Sequence, residues 1–315
     1  MNLTRRALLK SSGVFAGASV IKPEANLTHK TAKNTISLCL NLSTIMGQNL
    51  GFIKELQIAQ QAGFSSVEIW VPTLEKYLQS GGSISEAKKI ISDLGLRIEN
   101  TIGFAPWIVD DQAVRGKGLE QLKKEMAWVR ELGCLRTAAP PMGATQQADL
   151  NLKAAADRYA KILELGKQME VVPQLEMWGH SKCLNRVADL LFVAAEAGHP
   201  DAKLLLDVFH IYKGESSLDS LHLVGENSIE IFHVNDYSAQ LKPASIKDAD
   251  RIYVGDGDAP IVKIIHSLNS GKKPLVISLE LFNKELYAKD ALLVAKEGYA
   301  KMKKLKNQLE AGSSY

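Results

Sequence analysis

The sequence predicts one large α/β domain, a (β/α)8 barrel, behind a short N-terminal export segment. Three observations carry that expectation. Eight β-rich runs alternate with helix-period stretches over residues 31–315. Continuously apolar runs such as Leu204-Leu205-Leu206 fit parallel strands whose outer face is covered by helices. The first strand is followed by Asn41-Leu42-Ser43-Thr44, with no G-x-G-x-x-G turn, which argues against an open dinucleotide-binding sheet.

The first β-rich run is Thr35–Asn41, followed by the helical stretch Leu50–Ala62. Next come Ser66–Val71 with Ser85–Leu94, then Leu96–Phe104 with Leu119–Leu132. Units four and five pair Cys134–Ala139 with Leu152–Met169 and Val171–Trp178 with Asn185–Ala197. The sixth run, Lys203–His210, has the weakest helix after it, somewhere in Ser216–Gly225. Ile229–Asp236 with Ala259–Asn269 and Pro274–Phe282 with Lys289–Leu309 complete the set. Apolar residues at helical spacing mark the helices, and β-branched runs mark the strands. Gly63, Gly95, Gly133 and Gly198 stand where left-handed helix caps are expected. Single α/β barrels commonly reach about 250 residues or more, so the chain of 315 fits one domain.

Residues 1–30 read as export signal and linker. Arg5-Arg6 precedes the short apolar run Ser11–Ile21, which resembles a twin-arginine signal and implies a periplasmic location. That run is shorter than the roughly 20 apolar residues a bilayer-spanning helix needs, so no stable membrane anchor is expected. The cleavage site and the oligomeric state, homo-oligomer included, stay open. Arg5, Arg6, Lys10 and Lys22 against Glu24 give the first 25 residues a net +3, which equals the charge of the whole chain. The rest is therefore about neutral, which removes the electrostatic case for a nucleic-acid partner. Cys39, Cys134 and Cys183 are odd in number and widely spaced, so no zinc ribbon or disulfide framework is expected. Cys39 and Cys134 read as core thiols.

In such barrels the chemistry lies at the C-terminal strand ends. Four consecutive strands end in an ionisable residue there: Glu176, Asp207 (then His210), His233 and Glu280. Three carboxylates buried together repel one another, and a divalent cation removes that cost. Three carboxylates and an imidazole form an oxygen-rich ligand set suited to Mn²⁺, Co²⁺ or Mg²⁺, with Zn²⁺ also compatible. Glu68 and Trp70 end strand two, Asn41 ends strand one, and Glu99 lies earlier on strand three. Trp70, Phe104, Trp107 and Trp178 are candidate apolar walls of a site at these strand ends.

The runs Leu175-Glu176-Met177-Trp178-Gly179-His180 and Leu206-Asp207-Val208-Phe209-His210 resemble the xylose-isomerase-like TIM-barrel superfamily of sugar isomerases and epimerases. So do His233-Val234-Asn235-Asp236, Asp248-Ala249-Asp250-Arg251, Gly255-Asp256-Gly257 and Ser278-Leu279-Glu280-Leu281-Phe282. The resemblance covers roughly residues 35 to 305 and is strongest to the inosose (2-keto-myo-inositol) isomerases. It implies that Glu176, Asp207, His233 and Glu280 bind the metal and that His210 and Arg251 touch substrate. One departure is Tyr253-Val254-Gly255, where the family usually has proline before the glycine.

The expected reaction is proton transfer next to a carbonyl, through an enediolate, on a small sugar or cyclitol hydroxy-ketone. The metal acts as Lewis acid. Similar epimerases imply Glu176 and Glu280 as the acid/base pair. His180, Glu68 and Trp178 are expected at the substrate. A lyase or dehydratase acting on keto-sugars or 3-keto-glycosides would need the same metal and base. A DNA-repair endonuclease on this barrel is disfavoured by the neutral charge, and a non-catalytic sugar binder by retention of both glutamates.

Overall fold

A computed structural model describes residues 36–269 and 273–312. The expected export segment lies outside the described residues. Eight strands form a parallel sheet: β1 (Ile36–Asn41), β2 (Ser66–Trp70), β3 (Arg97–Ile102), β4 (Arg136–Ala139), β5 (Val172–Glu176), β6 (Leu204–Asp207), β7 (Ile231–Val234) and β8 (Leu275–Leu279). Their order is β3-β2-β1-β8-β7-β6-β5-β4. β1 pairs with β2 on one side and β8 on the other, so the sheet curls into a barrel as expected. Side chains stitch the seam between β3 and β4. Thr101 Oγ1 donates to Thr137 Oγ1 at 2.9 Å, and Arg136 Nη1 to the Glu99 carbonyl at 3.2 Å.

Alternation along each strand sorts the side chains. Leu175, Leu204, Leu206, Phe232, Val234, Ile277 and Leu279 join the large core beneath the helices. The residues between them form the barrel interior: a small apolar group of Ile102, Ala138, Leu205 and Ile231, and a buried polar set that includes Glu68, Asn100, Gln174, His233 and Ser278. A bulge tunes this set. The β2–β3 register passes from Val67↔Ile98 to Glu68↔Asn100, so Glu99 is the extra residue. That shift sets Asn100 opposite Glu68, and its Nδ2 donates to Glu68 Oε2 at 2.8 Å.

All four expected glycine caps have positive φ. The long helices fall where apolar spacing places them, with Ser83, Asp111 and Asn151 capping three N-termini. Two elements differ from expectation. The run Ser66–Val71 leads straight into a helix, Val71–Gln79, which starts with Pro72 in its first turn. The run Lys203–His210 breaks at Asp207, which N-caps the short helix Val208–Lys213, so His210 is helical and not a strand residue. The stretch after it is a 3-10 helix, Leu218–Leu223. The three cysteines are free and buried, in keeping with core thiols. No helix among the described residues is long and apolar enough to cross a membrane.

Glu55 tests the core. It lies 3% exposed in the helix Phe52–Ala62, and burial pushes its carboxyl up to about 7. A raised folded value favours the protonated form, so its stability contribution is full below the ordinary value of 4.5 and is lost as pH rises to about 7. Above that pH the ionised group costs on the order of 3 kcal/mol. Glu55→Gln is expected to raise Tm at pH 8 and to leave it nearly unchanged at pH 4.5. Thermal melts across pH check this, and an equal effect at both values would refute it.

Candidate active site

The floor of the site is built from strand ends. Asp207, His233 and Glu280 are 2%, 1% and 4% exposed, and each offers one ligand atom within 4.8 Å of the others. Helix capping aims Asp207. Its Oδ1 accepts the His210 N–H at 3.0 Å, which leaves Oδ2 to face the site and accept from Asn235 Nδ2 at 3.0 Å. His233 Nδ1 lies 3.3 Å from Glu280 Oε2. On its other edge, Nε2 lies 3.0 Å from Glu68. Burial alone would lower His233, but Glu68 and Glu280 hold it well above the ordinary histidine value. Burial alone would raise Glu68 and Glu280, yet His233 keeps both below the ordinary carboxylate value, with help from Arg251 at Glu280.

This donor set fits a divalent ion: two carboxylates and one imidazole nitrogen converge, and three protein ligands leave positions free for substrate oxygens. An N–H from Nε2 to Glu68 would present Nδ1 to the ion. The expected fourth ligand, Glu176, is not part of the convergent group. Its Oε2 is buried without a hydrogen-bond partner among the described residues. Burial pushes its carboxyl up to about 8, with the charge of Glu280 adding and that of His233 opposing.

Arg251 is 1% exposed, and its guanidinium lies between two rings, 4.4 Å from the Phe209 centroid and 4.9 Å from Phe282. Nη1 donates to Asp207 Oδ2 at 2.9 Å and Glu280 Oε2 at 2.7 Å. Nη2 donates to Asp248 Oδ1 at 2.6 Å and lies 3.2 Å from His210 Nε2. Burial and then the Arg251 charge push His210 well below the ordinary value, which keeps the ring neutral. Its Nδ1 accepts the Gly179 N–H at 3.2 Å. Gly179 must be glycine here, because a Cβ would lie 2.5 Å from the His210 carbonyl oxygen.

Above the floor is a cavity of 350 Å³ lined by Glu176, Glu280, His180, His210, Asp248 and Arg251 on its polar side. Trp70, Phe104, Trp178 and Phe282 form the apolar side. Trp70 and Phe104 centroids are 5.3 Å apart, Phe104 and Trp178 6.3 Å, and the His180 ring stacks on Trp178 at 5.3 Å. The arrangement suits a ring with a C–H face against the aromatics and oxygens toward the floor.

Most residues expected at the site gather there: Glu176, Trp178, His180, Asp207, His210, His233, Arg251 and Glu280. Glu68 does not line the cavity. It is fully buried and bonded to His233 and Asn100, so it braces the histidine and has no open path to substrate. Trp107 is core, 1% exposed, with Nε1 donating to the Pro140 carbonyl at 2.8 Å. Glu99 pairs with Arg97 and Arg136 near the start of β3 and takes no part. Sequence reasoning missed Asn100, Asn235, Asp248 and Phe282 as site residues. Period-two counting back from Ile102 would have turned Asn100 inward, and Phe282 lies two residues beyond Glu280. Asp248 stands three residues before Arg251, a local spacing that marks that pair, whereas no local signal marks Asn235 as a partner of Asp207.

Glu68→Gln keeps the shape and removes the charge behind His233. It is expected to weaken zinc binding about 10- to 100-fold, measured by competition with a chromophoric chelator. Unchanged affinity would rule out a bracing role for Glu68.

Comparison with known proteins agrees with this geometry. The chain is 23% identical over 270 residues to an inosose isomerase of Halalkalibacterium halodurans, covering 83% of this chain and 94% of the relative. The solved structure of the IolI protein with a bound zinc atom superposes with a TM-score of 0.78 at 20% identity, covering 85% of this chain and 96% of that one. An L-ribulose 3-epimerase structure gives a TM-score of 0.68 at 21% identity, covering 89% and 99%. Residues 56–305 match the family described as xylose isomerase-like TIM barrel. With the barrel, its inward strand ends and that match in agreement, the chain belongs to the xylose isomerase-like TIM barrel family.

Proposed function

We propose that the protein is a metal-dependent isomerase or epimerase of a neutral, ring-shaped hydroxy-ketone of sugar or inosose type. The observation that carries this reading is Glu176, a cavity carboxylate with an unpartnered buried oxygen, beside three converging ligand atoms. The inosose isomerase relatives support the substrate class. The lining supports a neutral substrate: among the described residues Arg251 is its only Lys or Arg, and both Nη groups already face protein partners. A phosphate group in this cavity would face the carboxylates of Glu176, Asp248 and Glu280.

A divalent ion held by Asp207, His233 and Glu280 would polarise the substrate carbonyl and its neighbouring hydroxyl. The chain supplies the proton transfers. Glu176 and Glu280 form the acid/base pair, and their surroundings push the two carboxyls apart, Glu176 upward and Glu280 downward. That split lets one hold a proton while the other accepts one. Arg251 adds positive charge at the floor, where negative charge develops on oxygen. The aromatic side excludes water and packs on the ring's C–H face. Neutral His210 and exposed His180 contact hydroxyl groups. Export by the twin-arginine route is part of the proposal and rests on Arg5-Arg6.

Glu176→Gln is expected to lower kcat about 10²- to 10⁴-fold with little change in KM or zinc binding, on a panel of inososes and neutral keto-sugars. Surviving turnover would place the base elsewhere. Fractionation of the native host checks export: replacing Arg5 and Arg6 together with lysine is expected to leave the protein in the cytoplasm.

A further inference from the structure

Two of the three converging ligands already share a cation. Arg251 Nη1 bridges Asp207 Oδ2 and Glu280 Oε2, at 2.9 and 2.7 Å. Those carboxylates also belong to the group that can hold a metal ion. The guanidinium has little freedom to leave. Phe209 and Phe282 flank it, Asp248 accepts from Nη2, and the side chain is 1% exposed. Its own strand end does not supply it: it follows the short 3-10 turn Asp248–Asp250, and its carbonyl is tied back by Asn283 Nδ2 at 3.1 Å.

We propose that Arg251 is a built-in counter-cation for the ligand cluster, which draws Asp207 and Glu280 together and sets how tightly a divalent ion binds between them. This rests on the reading that a metal ion binds there. The bridge has two opposed effects. Without an ion, the guanidinium offsets two carboxylates that would otherwise repel each other out of contact with water. With an ion, it withdraws electron density from two ligand oxygens and adds a like charge nearby, which weakens binding. The result is a preformed cluster with moderated affinity. Arg251 thereby acts on the ion through its ligands. This is a positioning role, carried by the two Nη groups that are directed at protein atoms.

The test compares wild type with Arg251→Met, which keeps an apolar stem between the two rings, and Arg251→Lys, which keeps the charge without the planar fork. Each full-length protein is purified with zinc present. Zinc affinity is then read by competition with a chromophoric chelator, so a variant that needs the ion to fold still reports. Arg251→Met is expected to bind zinc at least about tenfold more tightly than wild type, from loss of a nearby unit charge. Arg251→Lys is expected to stay within about threefold of wild type, because it keeps the charge. Melts after zinc removal should show Arg251→Met destabilised relative to wild type, with the deficit recovered on adding zinc. Equal or weaker zinc binding by Arg251→Met, while wild type binds zinc, overturns the arginine inference alone. Absence of zinc binding by wild type and both variants overturns it together with the metal reading.

Discussion

Carboxylates buried side by side must be offset within a few ångströms, and that constraint organises the catalytic end of this barrel. Glu68, Asp207 and Glu280 are 0%, 2% and 4% exposed. His233 lies between Glu68 and Glu280, and Arg251 bridges Glu280 and Asp207. Each of the three carboxylates therefore touches Arg251 or His233, which without an ion is held in its protonated, cationic form. Removing either cation would leave buried negative charge uncompensated, which is far costlier than losing a surface ion pair. Glu176 is the exception. It stands outside these pairs, and its carboxyl is driven up toward the protonated form.

The barrel frame makes the network possible. Strand alternation turns Glu176, Asp207, His233 and Glu280 toward one interior, and the bulge at Glu99 brings Asn100 level with Glu68. The aromatic wall is tied to the same floor. Trp70 Nε1 donates to Asn41 Oδ1 at 2.8 Å, and Asn41 Nδ2 donates to Glu280 Oε1 at 3.0 Å. Glu280 is thus held on one oxygen by β1 and on the other by His233 and Arg251. A substrate ring resting on Trp70 would press on a side chain one hydrogen-bond step from the residue that fixes Glu280.

Much of the fold and a large part of the site were legible in the chain. Apolar runs placed all eight strands to within a few residues, because burial on the outer face of a parallel sheet leaves that local mark. The short helices Val71–Gln79 and Val208–Lys213 were hidden, because each starts directly from a strand end with no intervening turn. His210 was legible as a site residue and misplaced as a strand residue for the same reason. Glu68 looked like a substrate contact because it lies near a strand end. The structure turns it instead onto His233.

By itself the sequence determined which residue types stand at which strand ends, since period-two alternation and the β/α repeat are local properties of the chain. It did not determine which atoms share a bond. Asn41 meets Glu280 across 239 positions, Glu68 meets His233 across 165, and Arg251 reaches Asp207 across 44. Barrel closure, a one-residue bulge and a helix cap set those partners, and all three depend on how strands far apart in sequence come into register. Tertiary structure alone decided that Glu68 meets His233, that Arg251 bridges Asp207 and Glu280, and that Glu176 stays outside the converging ligand atoms.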